Sequence, residues 1–433
     1  MKKIAAFLSA AAIAISSMAA TAPVSSAEPY INYAEALQKS LYFYECQQAG
    51  PLPEWNRVEW RADSTMDDFI KGGWYDAGDH VKFNLPMAYS ASMIAWGLYQ
   101  YPDGIEECGE MNNYVNNLTF VLDYLAACDL GDEVVFQVGN GQKDHTWWGP
   151  VELYDYGMNE NGGYDGRPYY SGTKCSAAFG EMAAALAAGY CALQGRSDKT
   201  DYYLEHAENI FKIADAAKSD AEYQDSDASG FYRSSHFYDE LFWAANWLYK
   251  ATGEKSYLDK ATSYIPYLDK ELGSDELKYT WSMCWDDSMQ GGMLLYAQNT
   301  GDVQYVARVK KHLDYLVSGV NKLDGGLAHF HTWGCLRYAA ASGFVILLIW
   351  AIHLHMRISI KRRPTIALVT ILWIRALLLV TEIMLRKMHI IELPMLHGIM
   401  NFLILQKTDI YFTVLLLAVL TEVEIMSMID RII

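Results

Sequence analysis

The sequence predicts an all-α fold of stacked helical hairpins, closed into a toroid or left open as a solenoid. Three observations carry this. Punctuation recurs: Thr252-Gly253-Glu254 is followed by Tyr257, Thr300-Gly301-Asp302 by Tyr305, and, more loosely, Gly195 by Tyr202 and Tyr203. Glycine closing one helix and a polar residue opening the next is helix–turn–helix chemistry, and a period of roughly 50 residues suits a hairpin repeat. The segments before these stops carry apolar residues at helical spacing. No stretch reads as a parallel sheet.

Taken in order, Met1-Lys2-Lys3, the apolar run Ile4 to Ala14 and the small residues Ser25-Ser26-Ala27 have the three parts of a secretory signal peptide. Residues 1–27 are therefore read as removed, the mature chain beginning near Glu28 and being secreted. The stretch Gly72-Gly73-Trp74-Tyr75-Asp76-Ala77-Gly78-Asp79-His80-Val81-Lys82-Phe83 reads as a tight loop, because its glycines allow φ > 0 and close approach to a ligand. Pro86 then opens a helix, Met87 to Tyr99. Further helices are expected at Lys174 to Leu193, alanine-rich and ended near Gly195, at Phe237 to Ala251, stopped by Gly253, and at Gln290 to Asn299, stopped by Gly301.

Asp76 and Asp79 are a carboxylate pair three residues apart beside aromatic rings. That suits sugar hydrolysis, and equally a calcium loop or a capping aspartate. Two carboxylates this close should repel and raise at least one pKa unless hydrogen bonds compensate.

The 433-residue chain has a formal charge of −18, which argues against nucleic acid and anionic membranes as partners. Aromatic residues make up 14%, with 31 Tyr and 13 Trp, an excess suited to lining a binding surface. Seven cysteines without a Cys-x-x-Cys pair support neither a disulfide framework nor a zinc site, and most are expected to be buried as small apolar residues. Near Phe344 the composition breaks. Beyond it come one glycine (Gly398), one tyrosine (Tyr411) and two aspartates (Asp409, Asp430), among Ile, Leu, Met, Arg and Lys. No run there reaches the ~18 uncharged residues of a spanning helix: Ile366 to Val380 is broken by Arg375, and Ile410 to Leu420 is too short.

Five ordered segments resemble glycoside hydrolase family 9, the cellulase family with an (α/α)6 barrel. They are Tyr33 to Glu45, the loop Gly72 to Phe83, Asp144-His145-Thr146-Trp147-Trp148-Gly149-Pro150, Ala228 to Tyr232 with Tyr238-Asp239-Glu240-Leu241, and Gly325-Gly326-Leu327 with Thr332 to Tyr338. The resemblance implies a monomeric endo-β-1,4-glucanase that inverts at the anomeric carbon. Asp79 is then the general base, with Asp76 assisting, and His145, Trp148, Tyr232, Trp333 and Arg337 contact glucose. Ser235, His236, Asp239, Glu240 and Asp286 match positions forming a structural calcium site in some relatives, His236 through its carbonyl alone. Asp239 and Glu240 also suit the first turn of a helix. A catalytically dead glycan-binding relative and a surface protein tethered by its tail are the alternatives.

The family's general acid, a glutamate late in the domain after a His-x-Arg motif, is not visible. Glu382, Glu392, Glu422 and Glu424 lie in no family-like context. We expect residues 28–345 to be an incomplete catalytic domain and 346–433 an aberrant tail read in a shifted frame. Taking the last base of each tail codon with the first two of the next, synonymous codons spell Asp-Met-Gly-Tyr over Leu348 to Ile352 and His-His-Arg-Thr-Ala-His over His389 to Met395, in the family's order. The last hairpins of the barrel would then be replaced, and the acid would fall beyond Ile433.

Overall fold

The computed structural model describes residues 32–160, 166–323 and 326–359, with side chains described up to Ile349 in the last helix. The signal-like segment 1–27, Gly325, and the tail from residue 360, with its shifted-frame strings and its glutamates, lie outside the described residues.

The predicted hairpins form, and their burial sorts them into two kinds. The helices α1 (Tyr33–Cys46), α2 (Asn84–Gln100), α3 (Met111–Ala127), α4 (Ser176–Ala192), α5 (Thr200–Ala217), α6 (Tyr238–Thr252), α7 (Lys255–Tyr264), α8 (Met289–Thr300), α9 (Val303–Ser318) and α10 (Cys335–Ser359) follow one another in the chain. In α2, α4, α6 and α8 most positions are buried, as in a helix walled by neighbours on several sides. These inner helices pack in series, α2 on α4, α4 on α6, α6 on α8 and α8 on α10. The return helices are one-sided: α5 buries Tyr203, Ala207, Ile210, Phe211 and Ala214, a single apolar stripe at 3.6-residue spacing. They lie outside, α5 on α4, α7 on α6 and α9 on α8.

The hairpin turns use the residues their sequence announced. Gly253 and Gly301 take φ of 72° and 74° at the ends of α6 and α8, and their N–H groups donate to the carbonyls of Tyr249 and Ala297. A side chain at either position would strain the left-handed backbone. Helix α2 begins two residues earlier than expected, with Pro86 third in the helix. There its missing N–H is still one of the four that no helical carbonyl could satisfy.

One feature had no counterpart in the sequence reading. Strands β1 (Lys82–Phe83), β2 (Val134–Val138) and β3 (Tyr169–Gly172) make a small antiparallel sheet in the order β1-β2-β3. β1 is two residues long, below the length at which alternation is detectable. The sheet matters because β1 is the end of the Asp76–Asp79 loop, so pairing with β2 fixes where that loop leaves the helical layer. Among the described residues no helix is long and apolar enough to cross a membrane. All seven cysteines are free thiols; three are buried and four half-buried, so fewer are core residues than composition suggested.

Candidate active site

The glycine-rich loop is held from several sides. Gly72 and Gly73 have φ of 85° and 77°, and a Cβ on Gly73 would come within 2.7 Å of the Tyr124 ring. Gln47 at the end of α1 accepts from the Tyr75 N–H at 2.8 Å and donates to the Ala77 carbonyl at 2.7 Å. The buried Lys82 ammonium donates to the carbonyls of Ile70 and Gly72 at 2.7 and 3.0 Å. It pairs with Asp68 at 2.9 Å, and Asp68 takes Arg167 Nε on its other oxygen at 2.6 Å. Arg167 in turn donates to the His80 carbonyl at 2.7 Å. Opposite charges folded into the protein thus clamp the loop at both ends.

Above the loop opens a cleft of about 370 Å³. Asp76, His145, Tyr232, Trp333 and Arg337 line it, joined by Tyr44, Trp74, Phe231 and Trp285. Its walls are mutually braced rings: Tyr44 against Trp74 at 4.4 Å, and Tyr232 edge-on to Trp285 at 5.0 Å. Rings held this way keep apolar faces rigid for a flat sugar while hydroxyl and indole tips remain polar. Tyr232 donates its hydroxyl to the Asp76 carboxylate at 2.6 Å. Trp148 does not line the cleft; it is exposed beside it, close over Gly78 and edge-on to His145 at 5.1 Å. A larger groove of about 850 Å³ lies between α5 and α7, where Tyr257 is bonded to Glu208 and His206 to Asp129.

Asp79 lies beneath the cleft rather than on its wall, 3% exposed, accepting from the N–H groups of Ala77 and Val81 at 3.2 and 3.3 Å. Burial pushes its pKa up to about 6, helped by the negative charge of Asp144 and opposed by His145 and the Val81 N–H. The carboxylate that bears most on Asp79 is therefore Asp144, not its loop neighbour Asp76. Stability should follow. Below the unfolded value near 3.8 both states are protonated and nothing is lost; as pH rises to 6 the unfolded chain releases the proton first. A shift of that size is worth about 3 kcal/mol above pH 6. Asp79→Asn should thus melt higher than the parent at pH 8, with the difference vanishing by pH 4 in calorimetric scans.

The proposed calcium residues gather at the start of α6. Asp239, Glu240 and the His236 ring lie within 4.8 Å of one another. Asp286 accepts from both the Ser235 N–H, at 2.8 Å, and its hydroxyl. The His236 ring is engaged elsewhere, by Asp239 at 2.6 Å and Asp269 at 3.2 Å. Both carboxylate oxygens of Glu240 are buried without a hydrogen-bond partner, as are both of Glu181 from α4. Burial and the neighbouring Asp239 hold the Glu240 carboxyl well above the usual range. Hard oxygen donors gathered here, with the Glu240 oxygens unpartnered, fit a divalent cation.

Sequence reasoning passed over Asp68, Lys82 and Arg167, Asp144 and Trp285. The last two adjoin residues it did single out, His145 and Asp286, so adjacency was the available signal. A family model described as glycosyl hydrolase family 9 matches residues 33–366. The chain belongs to glycosyl hydrolase family 9. Its helices are accordingly those of an (α/α)6 barrel. Endoglucanase B of Cellulomonas fimi is 40% identical over 362 residues, covering 78% of this chain and 33% of that protein. Endoglucanase A of Bacillus pumilus is 38% identical, covering 72% and 49%. Among family structures, endoglucanase CelQ from Clostridium thermocellum complexed with cellotriose aligns with TM-score 0.68 at 51% identity, covering 74% of this chain and 52% of that one. Endoglucanase from the termite Nasutitermes takasagoensis aligns with TM-score 0.67 at 33% identity, covering 76% and 75%. The chain spans a third to a half of the length of these two bacterial curated relatives.

Proposed function

We propose that the chain is a secreted, monomeric endo-β-1,4-glucanase acting on cellulose and related β-glucans with inversion. One observation carries this most: two aspartates on one clamped loop, Asp76 on the wall of an aromatic cleft and Asp79 buried just below, in a family 9 chain. Relatives named endoglucanase, and structures holding cellotriose and cellobiose, support the substrate class. Export rests on residues 1–27; a mature N-terminus near Glu28 in culture medium tests it.

Asp79 is the general base. Its raised pKa leaves it ionised near neutrality yet basic enough to take a proton from water as that water attacks the anomeric carbon. Asp76, steadied by the Tyr232 hydroxyl, holds the same water. The acid protonating the leaving oxygen belongs about 6.5–9.5 Å away across the sugar. No glutamate lines the cleft among the described residues. We still read the frame as shifted near Leu347, with the acid belonging to the unshifted downstream sequence.

The test is sugar release from carboxymethylcellulose by this chain and by one with the downstream frame restored. Restoration should raise the rate about 10²–10⁴-fold, the contribution of general acid catalysis. Equal rates would sink the missing-acid reading. Cellotriose binding without hydrolysis in the restored chain would favour the glycan-binding alternative.

Calcium is assigned to Asp239, Glu240 and Asp286, the Ser235 hydroxyl and the His236 carbonyl, where it would supply the positive charge that buried carboxylates lack. Calcium at a hundredfold excess over Kd should stabilise by about 3 kcal/mol. Adding EGTA should lower the melting temperature by a few degrees, and Glu240→Gln should abolish that dependence.

A further inference from the structure

The triad of Asp79, Asp144 and His145 joins the catalytic loop to the segment after β2. An oxygen from each carboxylate and a ring nitrogen of His145 lie within 4.8 Å of one another. Asp144 is fully buried. Its Oδ1 accepts from the His80 N–H at 2.9 Å, with His80 Nδ1 3.4 Å from the same atom, and Arg167 Nη1 stands 3.5 Å from its Oδ2. His80 directly follows Asp79, so this one carboxylate grips the backbone beside the base while its charge faces the base itself.

We infer that Asp144 is the positioning residue of the general base: it anchors the loop through the His80 N–H and fixes a second negative charge beside Asp79, strengthening Asp79 as a proton acceptor. The inference rests on the reading of Asp79 as base. Two features make Asp144 suited to the task. It is fully buried and does not line the cleft. Its carboxyl is held below the usual range despite burial, by its hydrogen bonding to His80 and by the Arg167 guanidinium.

Asp79 is faced by Asp144 and His145 from residues 144 and 145 and by His80 from its own loop. Asp144 is faced by His80, by Arg167 ahead of β3 and by Tyr154 from the helix at 154–160. Behind Arg167 stand Asp68 and Lys82. Asp76, the remaining acid of the loop, is held by Tyr232. Lys82 and Arg167 serve Asp68 and Asp144, while at Asp79 burial and the Asp144 charge outweigh the opposing His145, His80 and Val81 N–H. A buried carboxylate in that position favours its protonated form, which is what a base needs in order to accept a proton near neutrality.

The full chain can report this on a substrate whose leaving group needs no general acid. In 2,4-dinitrophenyl β-cellobioside the leaving phenolate departs with its electron pair unprotonated, while water adds to the anomeric carbon and gives its proton to Asp79. The acid limb of the rate–pH profile then reads Asp79 directly. In Asp144→Asn that limb should move about one unit lower, as expected for removing a neighbouring like charge. The rate on the plateau should fall with cellotriose binding kept, and Asp144→Glu should restore the limb. An unmoved limb in a folded Asp144→Asn chain that binds cellotriose overturns the inference and leaves Asp79 as base. Activity surviving in Asp79→Ala overturns the base reading itself. Should Asp144→Asn fail to fold, a carboxyl-¹³C aspartate titration of the parent decides, with Asp79 assigned by its loss in Asp79→Asn. Asp79 titrating near 6 with Asp144 still ionised supports the inference; Asp144 titrating in that range overturns it.

Discussion

Asp79→Ala should hydrolyse dinitrophenyl β-cellobioside about 10²–10⁴-fold more slowly than the parent, the range for loss of a general base. Cellotriose binding should stay close to the parent's. The separation follows from the geometry: the rings and the Asp76 carboxylate form the cleft wall, whereas Asp79 lies below it. Truncating Asp79 removes a proton acceptor without removing a sugar contact. Asp76 does not substitute, because the Tyr232 hydroxyl already occupies its carboxylate at 2.6 Å and a donated hydrogen bond makes an anion less basic. A fall in binding that matches the fall in rate would show that Asp79 holds substrate rather than water. An unchanged rate would remove it from the chemistry altogether.

Asp68→Ala should destabilise the fold by about 3–5 kcal/mol, the usual effect of stripping one partner from a buried ion pair. Asp68 is buried and meets two cations, Lys82 at 2.9 Å and Arg167 at 2.6 Å. Removing it leaves both facing each other inside the protein. Lys82 can respond by losing its proton, since burial already lowers its pKa and Asp68 is the main opposing influence. Arg167 cannot. The strain should reach the active loop, because Lys82 holds the carbonyls of Ile70 and Gly72 and Arg167 holds that of His80. Urea unfolding of Asp68→Ala and Asp68→Asn measures it. The amide should lose less, since it still fills the space and offers an oxygen. Losses under 1 kcal/mol in both would mean that the cations find other partners.

The helical layer was legible because its signals are local. A glycine at φ near 73° ends α6 and α8, and the alanine run of α4 lies within one element. The loop was legible because glycines, aromatics and two acids stand within a dozen residues. The charge clamp was not: Asp68 and Arg167 meet across 99 residues, and no period or spacing relates them. Asp144 was quoted inside a motif but overlooked, because a buried acid resembles an exposed one until its neighbours are known. Trp148 was expected at the sugar and lies beside the cleft, since its place depends on how the loop after β2 folds over Gly78. Asp239, Glu240 and the His236 ring lie together at the start of α6, whereas Glu181, whose charge bears on Glu240, comes from α4 and bore no local mark.

Helix α4 has a consequence for how the chain reaches its native state. It packs against α5, the next helix in the chain, and along the inner layer against α2 and α6. The α4–α5 contact closes a small loop, and rates rise as contact separation falls. Its alanines let backbones approach with little side-chain ordering to complete. During synthesis, the segment from α2 to α6 can therefore condense around α4 while later residues are still being added, as domains that form from the N-terminal side do. Hydrogen-exchange labelling during refolding should find α4 amides protected earliest, and those of α9 and α10 later.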